Sequence, residues 1–145
     1  MLGELNQTQI EQVLREELIG RLGCHAEGQT YVVPITYAYD DGSVYGHSGD
    51  GRKIRMLREN PAVCFEVDHL DDMRNWRSVI AQGTFEELHG AAAERAMRLL
   101  VERVSPLATS ETGRPTVGGH GGAAGTAAVI FRIALGECSG RFERG

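Results

Sequence analysis

The chain has 145 residues, 41% of them hydrophobic, and a formal net charge of −5, which predicts one domain, residues 1–145, with a core of its own. Charges of both signs are interspersed, so the sequence lacks the clustered positive charge that nucleic-acid binding requires. No apolar run is long enough to span a membrane and the N-terminus does not resemble a signal peptide, so we expect a cytoplasmic protein without a membrane partner.

The three cysteines, Cys24, Cys64 and Cys138, lie far apart in the sequence and form no Cys-x-x-Cys pair. This spacing favours neither a zinc site nor a disulfide framework. Cys24 and Cys64 lie in apolar runs, and we expect both to be buried, reduced thiols. No metal site is predicted.

The first predicted element is an amphipathic helix from Leu5 to Leu18, whose apolar residues recur on one face. Asn6 suits the N-cap of this helix, and Gln9, three residues further on, completes a capping box. We expect the helix to pack on a sheet.

Three strands rich in β-branched and aromatic residues are predicted next. They are Ile19 to Ala26, Gln29 to Tyr39 and Ser43 to Ser48, joined by turns at Glu27-Gly28 and Asp40-Asp41-Gly42. Pro34 interrupts the second strand and indicates a sheet edge, a bulge or a break, because proline donates no ladder hydrogen bond. An unpaired strand segment could lend its backbone groups to a cofactor; a plain edge proline is the alternative.

The third strand leads into a glycine-containing turn and a short helix, within the stretch Val44 to Leu57. Gly46, Gly49 and Gly51 allow positive φ angles and a backbone that a ligand can approach closely. Asn60-Pro61 should end the helix.

The start of this helix is a candidate anion site. A helix N-terminus offers unpaired N–H groups and the positive end of the helix dipole. Ser48 adds a hydroxyl group, and Arg52 and Lys53 add two positive charges. The combination suits a phosphate group, although many glycine-rich turns bind nothing and the spacing here is not that of a P-loop.

The second half of the chain predicts two strands, a helix and a final strand. These are Ala62 to His69, Trp76 to Leu88, Gly90 to Val104 and Thr126 to Leu135, with a polar connection at Asp71 to Asn75 and a short polar tail from Glu137. Gly83 indicates a bulge or a close backbone approach. The Gly- and Pro-rich stretch from Ser105 to Gly125 predicts a long loop, and Gly119 to Ala124 within it only superficially fits a dinucleotide fingerprint, because a strand rather than a helix follows.

Six strands joined mainly by short turns imply an antiparallel sheet, closed or nearly closed into a barrel. Five segments in this order resemble the pyridoxamine 5′-phosphate oxidase-like family of FMN-binding split barrels, over roughly residues 2–105. They are Ile19 to Gly23, Tyr31 to Tyr37, Tyr45 to Ser48 with Lys53, Asn60 to Val67, and Trp76 to Ile80 with Gly83. The sequence is most similar to the branch that contains the 5-nitroimidazole reductases.

The resemblance implies a six-stranded antiparallel split β-barrel of Greek-key type with two to three flanking helices. It implies a homodimer with FMN at the subunit interface. The implied cofactor contacts are the backbone of Val33, Pro34, Ile35 and Thr36, the side chains of His47 and Ser48, the phosphate-binding cations Lys53 and Arg52, and Trp76, Arg77 and Ser78 beside the flavin.

The resemblance also suggests an FMN-dependent oxidoreductase that uses reduced nicotinamide to reduce a small electrophile such as a nitro-aromatic, with the flavin supplying the redox chemistry. His47 is the candidate catalytic acid, because an unperturbed imidazole titrates near neutral pH; a histidine that only packs beside the cofactor is the alternative. Other interpretations are a non-catalytic flavin- or haem-binding carrier or sensor, an F420-dependent reductase, and a barrel that serves as an interaction module. The substrate residues of true pyridoxamine phosphate oxidases are not recognisable.

Overall fold

The protein is described here by a computed structural model that covers residues 1–105 and 128–145. It contains strands and three helices, and the sequence predicts all three helices. In chain order they are β1 (Leu2–Glu4), α1 (Gln7–Glu16), β2 (Ile19–Ala26), β3 (Gln29–Thr36), β4 (Ala38–Asp40), β5 (Ser43–Ser48), α2 (Arg52–Glu59), β6 (Ala62–Asp72), β7 (Asn75–Leu88), α3 (Gly90–Val104) and β8 (Val129–Arg144). Residues 106–125 of the predicted loop, with the stretch Gly119 to Ala124, and the predicted strand start at Thr126 lie outside the described residues.

All strand pairs are antiparallel, and the sheet order is β3-β2-β6-β7-β8-β5-β4, with β1 added beside β8. The sheet contains eight strands rather than the six predicted. β3 and β4 form its two ends and do not pair with each other, so the sheet is not closed into a complete barrel. This arrangement confirms the predicted mainly β, split-barrel fold class.

One predicted strand, Gln29 to Tyr39, is divided at Tyr37, because the chain changes its pairing partner there. Thr36 is the last residue of β3 to pair with β2, whereas Ala38 already pairs with β5. Tyr37 is fully buried between the two strands, and its hydroxyl donates a hydrogen bond of 2.7 Å to the Leu14 carbonyl of α1. A buried side chain anchored on a helix therefore marks the point where the sheet splits.

The predicted polar tail from Glu137 is wrong, because these residues form the second half of β8. Residues of this half pair with both β7 and β1. One inward-facing position in this half is a glycine: a Cβ on Gly140 would lie 2.8 Å from Leu5 Cδ1. Glycine is required at that position so that the start of α1 can pack on the strand.

Several local predictions are confirmed. The Asn6 side chain accepts a hydrogen bond from the Gln9 N–H at 2.9 Å, and the Gln9 side chain accepts one from the Asn6 N–H at 2.8 Å, which completes the capping box. The Glu27-Gly28 turn has φ angles of 52° and 77°. The register between β7 and β8 shifts between Ala81 and Gly83, which is the predicted bulge.

The core lies between the inner faces of the strands, and α1 and α2 cover it with apolar side chains such as Leu14 and Leu57. A smaller apolar cluster lies under α3. Cys24 belongs to the main core, but Cys64 is only half-buried, so the prediction of two buried thiols holds for Cys24 alone. None of the helices in the described ranges has the length and hydropathy needed to cross a membrane.

Candidate functional site

The turn between β5 and α2 brings the predicted anion-binding groups together. Gly51 is the N-cap of α2, and no side chain caps this end of the helix. The first N–H groups of α2 are therefore available to a ligand, as the sequence predicts. A Cβ at Gly49 or Gly51 would meet no atom within 4 Å, so the space beside the turn is open.

The glycines of this turn do not adopt the positive φ angles that they allow. Within the described ranges, the glycines with positive φ are Gly28, Gly42 and Gly90, none of which belongs to the turn. Gly46 is required for another reason: a Cβ there would lie 2.7 Å from Cζ of the buried Phe131 ring. Close packing against β8, rather than an unusual backbone conformation, explains this glycine.

An arginine on the last turn of α2 holds the glycine turn in place. The Arg58 guanidinium donates to the Glu87 carboxylate of β7 at 2.9 Å and to the Asp50 carboxylate of the turn at 3.1 Å. All three side chains are partly exposed, so each contact is worth little by itself. Together they connect the turn and α2 to the sheet.

Lys53, one of the predicted site residues, lies in an unusual electrostatic environment. Its side chain is half-buried, and burial lowers the pKa of its ammonium below the ordinary lysine value. Throughout residues 1–105 and 128–145 the ammonium has no hydrogen-bond acceptor and no carboxylate within ion-pair distance. A half-buried charge without a partner is costly, so this position suits an anion supplied from outside the chain.

The thiol of Cys24 lies beneath the two cations of α2. Burial raises the pKa of this thiol, and the positive charges of Lys53 and Arg52 oppose that increase. The thiol group donates a weak hydrogen bond of 3.6 Å to the Tyr31 carbonyl. Cys24 is therefore a neutral, buried neighbour of the site rather than a counter-ion for Lys53.

Arg52 is already oriented by the edge strand. Its guanidinium donates a hydrogen bond of 2.7 Å to the Gln29 side chain and lies 4.6 Å from the centre of the Tyr31 ring. Both partners belong to the first half of β3. Such contacts fix a long side chain before a ligand arrives, which reduces the entropy cost of binding.

The predicted cofactor strand, Val33 to Thr36, lies at the edge of the sheet, as Pro34 indicates. β3 pairs with β2 on one side only, so alternate backbone N–H and C=O groups point away from the sheet. Val33 and Ile35 pack on the core, whereas Pro34 and Thr36 are exposed on the opposite face. The backbone of this strand is therefore accessible from its free edge.

Ser48 and His47 project from opposite sides of β5. Val44 belongs to the main core and Tyr45 to the cluster under α3, so strand alternation places His47 on the α3 side and Ser48 on the core side. The pairing of His47 with Ile130, a member of that cluster, agrees with this placement. The Ser48 hydroxyl donates to the Gly49 carbonyl at 2.9 Å, within the turn.

Trp76, Arg77 and Ser78 lie at the other end of the sheet within one chain. Gln82 of β7 pairs with Cys64 of β6, which in turn pairs with Gly23, the neighbour of Cys24. Trp76 lies six residues along β7 from Gln82, a separation of about 20 Å. The Trp76 indole N–H donates to the Glu143 carboxylate at 3.1 Å. Arg77 faces the opposite side of β7 and lines a small polar cavity against α1.

Sequence reasoning missed Cys24, Tyr31 and Gln29 as neighbours of the cations. A two-residue turn at Glu27-Gly28 fixes the hairpin register, which places Cys24 directly opposite Tyr31. The hairpin pairing was therefore available from the sequence. The packing of α2 over this hairpin was not, because it depends on tertiary contacts between distant segments.

The split antiparallel barrel carries a cationic site where α2 begins, and this site suits an anionic ligand. A family model described as pyridoxamine 5′-phosphate oxidase matches residues 6–142. The chain therefore belongs to the pyridoxamine 5′-phosphate oxidase family.

Similar proteins extend this assignment. The solved structure of an FAD-binding protein from Mesorhizobium loti is 32% identical, covers 98% of both chains and has a TM-score of 0.78. A proposed 5-nitroimidazole antibiotic resistance protein from Bacteroides thetaiotaomicron has a TM-score of 0.74 over 98% of this chain and 87% of its own, but at 18% identity it shows the fold alone. The uncharacterised protein RA0666 of Rhizobium meliloti is 39% identical over 70 residues, 48% of this chain and 46% of that protein, so the match spans about half of the relative.

Proposed function

We propose that the protein is a flavoprotein that binds the phosphate of an FMN group at the start of α2. The half-buried ammonium of Lys53, which has no partner in the described parts of the chain, is the observation that carries this proposal. The uncapped helix N-terminus adds N–H donors at the same place. Family membership and the FAD-binding relative from Mesorhizobium loti support a flavin as the ligand.

The other site residues have distinct proposed roles. Arg52 and the Ser48 hydroxyl assist Lys53 at the phosphate. The free edge of β3, from Val33 to Thr36, contributes backbone hydrogen bonds to the flavin and ribityl group. Such fixed backbone dipoles stabilise negative charge on a ring without reorganising.

A homodimer completes the proposed site. The outer face of the sheet exposes apolar side chains on three strands, with Ile19 at 51%, Val32 at 63% and Ile80 at 46% exposure. A second copy seated on this face would cover them. The partner's Trp76 and Ser78 would then reach the flavin from the far end of the sheet, which explains why one chain holds them apart from Lys53. Val32→Glu should dissociate the dimer in sedimentation measurements.

The proposed reaction is reduction of a small electrophile such as a nitro-aromatic, with reduced nicotinamide as the electron donor. Bound flavin supplies the hydride chemistry. His47 is the proposed proton donor, and its position on the α3 side of β5 requires the acceptor to enter from that side. His47→Ala should lower nitroreductase turnover without changing flavin affinity; full turnover would remove His47 from this role.

The test of the proposed function is to identify what co-purifies with the protein by mass spectrometry and absorption, and then to titrate the apoprotein with FMN. We expect a flavin spectrum and quenching of flavin fluorescence at micromolar FMN. A haem spectrum, a bound deazaflavin, or no quenching at these concentrations would each overturn FMN as the ligand.

A further inference from the structure

Arg77 is a flavin neighbour implied by the resemblance that the proposed flavin site leaves unused. Its side chain lies on the inner face of β7, the face of the core residue Val79, and not on the face of Trp76 and Ser78. It lines a polar cavity of about 220 Å³ against α1, which we call the α1 cavity. This volume is below the range of pockets that take drug-sized ligands, so the α1 cavity suits a ligand of a few carbons.

A second arginine lies beside Arg77 on the same face of the sheet. Arg77 pairs with Phe142 of β8, and Arg144 follows two residues later, so the two arginines occupy diagonal positions about 7–8 Å apart. The Arg144 guanidinium lies 5.5 Å from the centre of the Phe142 ring, which is directly opposite Arg77. Both arginines line the α1 cavity. Like charges at neighbouring positions of a sheet repel each other, so this pair needs compensation.

The described parts of the chain supply no carboxylate for either arginine. Neither guanidinium makes an ion pair or a hydrogen bond there. Asp71 also lines the cavity, but its carboxylate lies 2.9 Å from His69 Nε2 and pairs with that histidine. Glu143 faces the other side of the sheet, where its carboxylate accepts the Trp76 indole N–H at 3.1 Å. Because Arg77 is half-buried, its unpaired charge has a desolvation cost that an anion would offset.

Gln9 adds a neutral donor to the cavity from the side of α1. Its side-chain oxygen is occupied, since it accepts the Asn6 N–H at 2.8 Å in the capping box. Its amide NH₂ group has no acceptor within the described ranges. The α1 cavity therefore presents two guanidinium groups and one amide NH₂, and such donors suit carboxylate oxygens.

We propose that the α1 cavity binds a short dicarboxylate, with one carboxylate on the Arg77 guanidinium and the other on that of Arg144. Each guanidinium presents a fork of N–H donors that matches one planar carboxylate, so two of them at diagonal positions fit a ligand with two carboxylates. The Gln9 amide adds a hydrogen bond from α1. No group of the α1 cavity contributes to the proposed phosphate site at Lys53, so this site goes beyond the proposed function.

The experiment is calorimetric titration of the full-length protein with succinate as the probe and with inorganic phosphate for comparison. We expect succinate to bind about tenfold more tightly than phosphate, because only succinate engages both arginines. Arg77→Gln should weaken succinate binding by about 10- to 100-fold, and Arg144→Gln by about two- to fivefold because Arg144 is exposed. Arg141→Gln is the matched control: Arg141 is an exposed arginine of the same strand that faces the opposite side, and its loss should leave the affinity unchanged.

NMR of the wild-type protein provides a readout that does not depend on how well a variant folds. Saturating succinate should shift the Arg77 Nε–H signal and the Gln9 side-chain amide signals but not the Nε–H signal of Arg141. No binding of succinate at about 10 mM, shifts that omit Arg77, or equal losses of affinity for Arg77→Gln and Arg141→Gln would each overturn the assignment. Phosphate that binds as tightly as succinate would overturn the dicarboxylate as the ligand and make the α1 cavity a general anion site.

Discussion

The charged cluster beneath α1 and the cationic site at the start of α2 differ in how their charges are satisfied. His69 Nδ1 lies 3.0 Å from a Glu17 carboxylate oxygen, and its Nε2 lies 2.9 Å from one of Asp71. Lys53 is half-buried and has no such partner in the described ranges. A cluster that satisfies its own charges stabilises the fold, whereas an unsatisfied charge lowers stability and is available to a ligand. The contrast explains why we assign binding to α2 and a structural role to the cluster beneath α1.

The largest expected effects on stability come from replacing apolar residues that α1 and α2 bury in the core. Equal losses for the two helices would show that both are anchored in the core and that the two regions differ only in how their charges are satisfied. Leu14 of α1 is 1% exposed and Leu57 of α2 is 0% exposed. Leu14→Ala and Leu57→Ala should each lower the free energy of unfolding by about 2–5 kcal/mol in urea denaturation. A loss well below this range for Leu57→Ala alone would show that α2 is not anchored in the core.

Lys53→Met tests the cationic site at the start of α2, where the charge has no partner in the described ranges. It should weaken FMN binding by about 10- to 100-fold, since the phosphate loses a charged contact worth about 1.5–3 kcal/mol. The free energy of unfolding should stay the same or increase, because methionine can be half-buried without desolvating a charge. Lys53→Arg, which keeps the charge, should retain most of the affinity. An unchanged dissociation constant for Lys53→Met would show that another group binds the phosphate.

His69→Gln tests the charged cluster beneath α1, where the histidine is paired with Glu17 and Asp71. The hydrogen bond to Asp71 and the contacts with Glu17 raise the folded-state pKa of His69 above its ordinary value. The charged cluster therefore contributes its full stability below the pKa of unfolded histidine, about 6.5, and loses it as the pH rises through the raised folded-state value. We expect wild type to exceed His69→Gln by up to about 1 kcal/mol in acid and by little in alkaline solution.

Urea denaturation of wild type and His69→Gln, in acid and in alkaline solution, measures this difference in the free energy of unfolding. A difference between wild type and His69→Gln that does not change with pH would contradict the assignment.

The smallest expected effect concerns the orientation of Arg52. Gln29→Ala removes an exposed hydrogen bond to its guanidinium, and should weaken FMN binding by about two- to threefold, corresponding to about 0.5 kcal/mol. Gln12→Ala, which removes an exposed side-chain hydrogen bond within α1, is a suitable control. Equal effects of the two changes would remove Gln29 from the site.

Local sequence signals predicted much of the fold. The capping box at Asn6 and the Glu27-Gly28 turn each depend on a few neighbouring residues, and both are confirmed. The second half of β8 was missed because its inward positions include Gly140, which carries no apolar side chain to reveal alternation. The split at Tyr37 was missed because a change of strand partner is a tertiary event that leaves no local mark.

The candidate site was predictable in its chemistry but not in its electrostatics. The order Ser48, Arg52, Lys53 along a turn and a helix start indicated a phosphate site from residue types alone. The structure orients Arg52 through β3 and leaves Lys53 without a partner in the described ranges. This difference depends on how α2 packs over the β2–β3 hairpin, which the sequence does not specify. Strand alternation from Val44 could have placed His47 on the α3 side of β5 before the structure was known.

The most direct measurement is the pKa of the Lys53 ammonium, followed by NMR of the side-chain Cε and Nζ with and without FMN. In the free protein we expect this pKa below the ordinary lysine value, because burial disfavours the charged form. A bound phosphate should raise it, and FMN affinity should accordingly fall as the pH rises through the free-protein value. A Lys53 pKa that is the same with and without bound FMN would contradict the account.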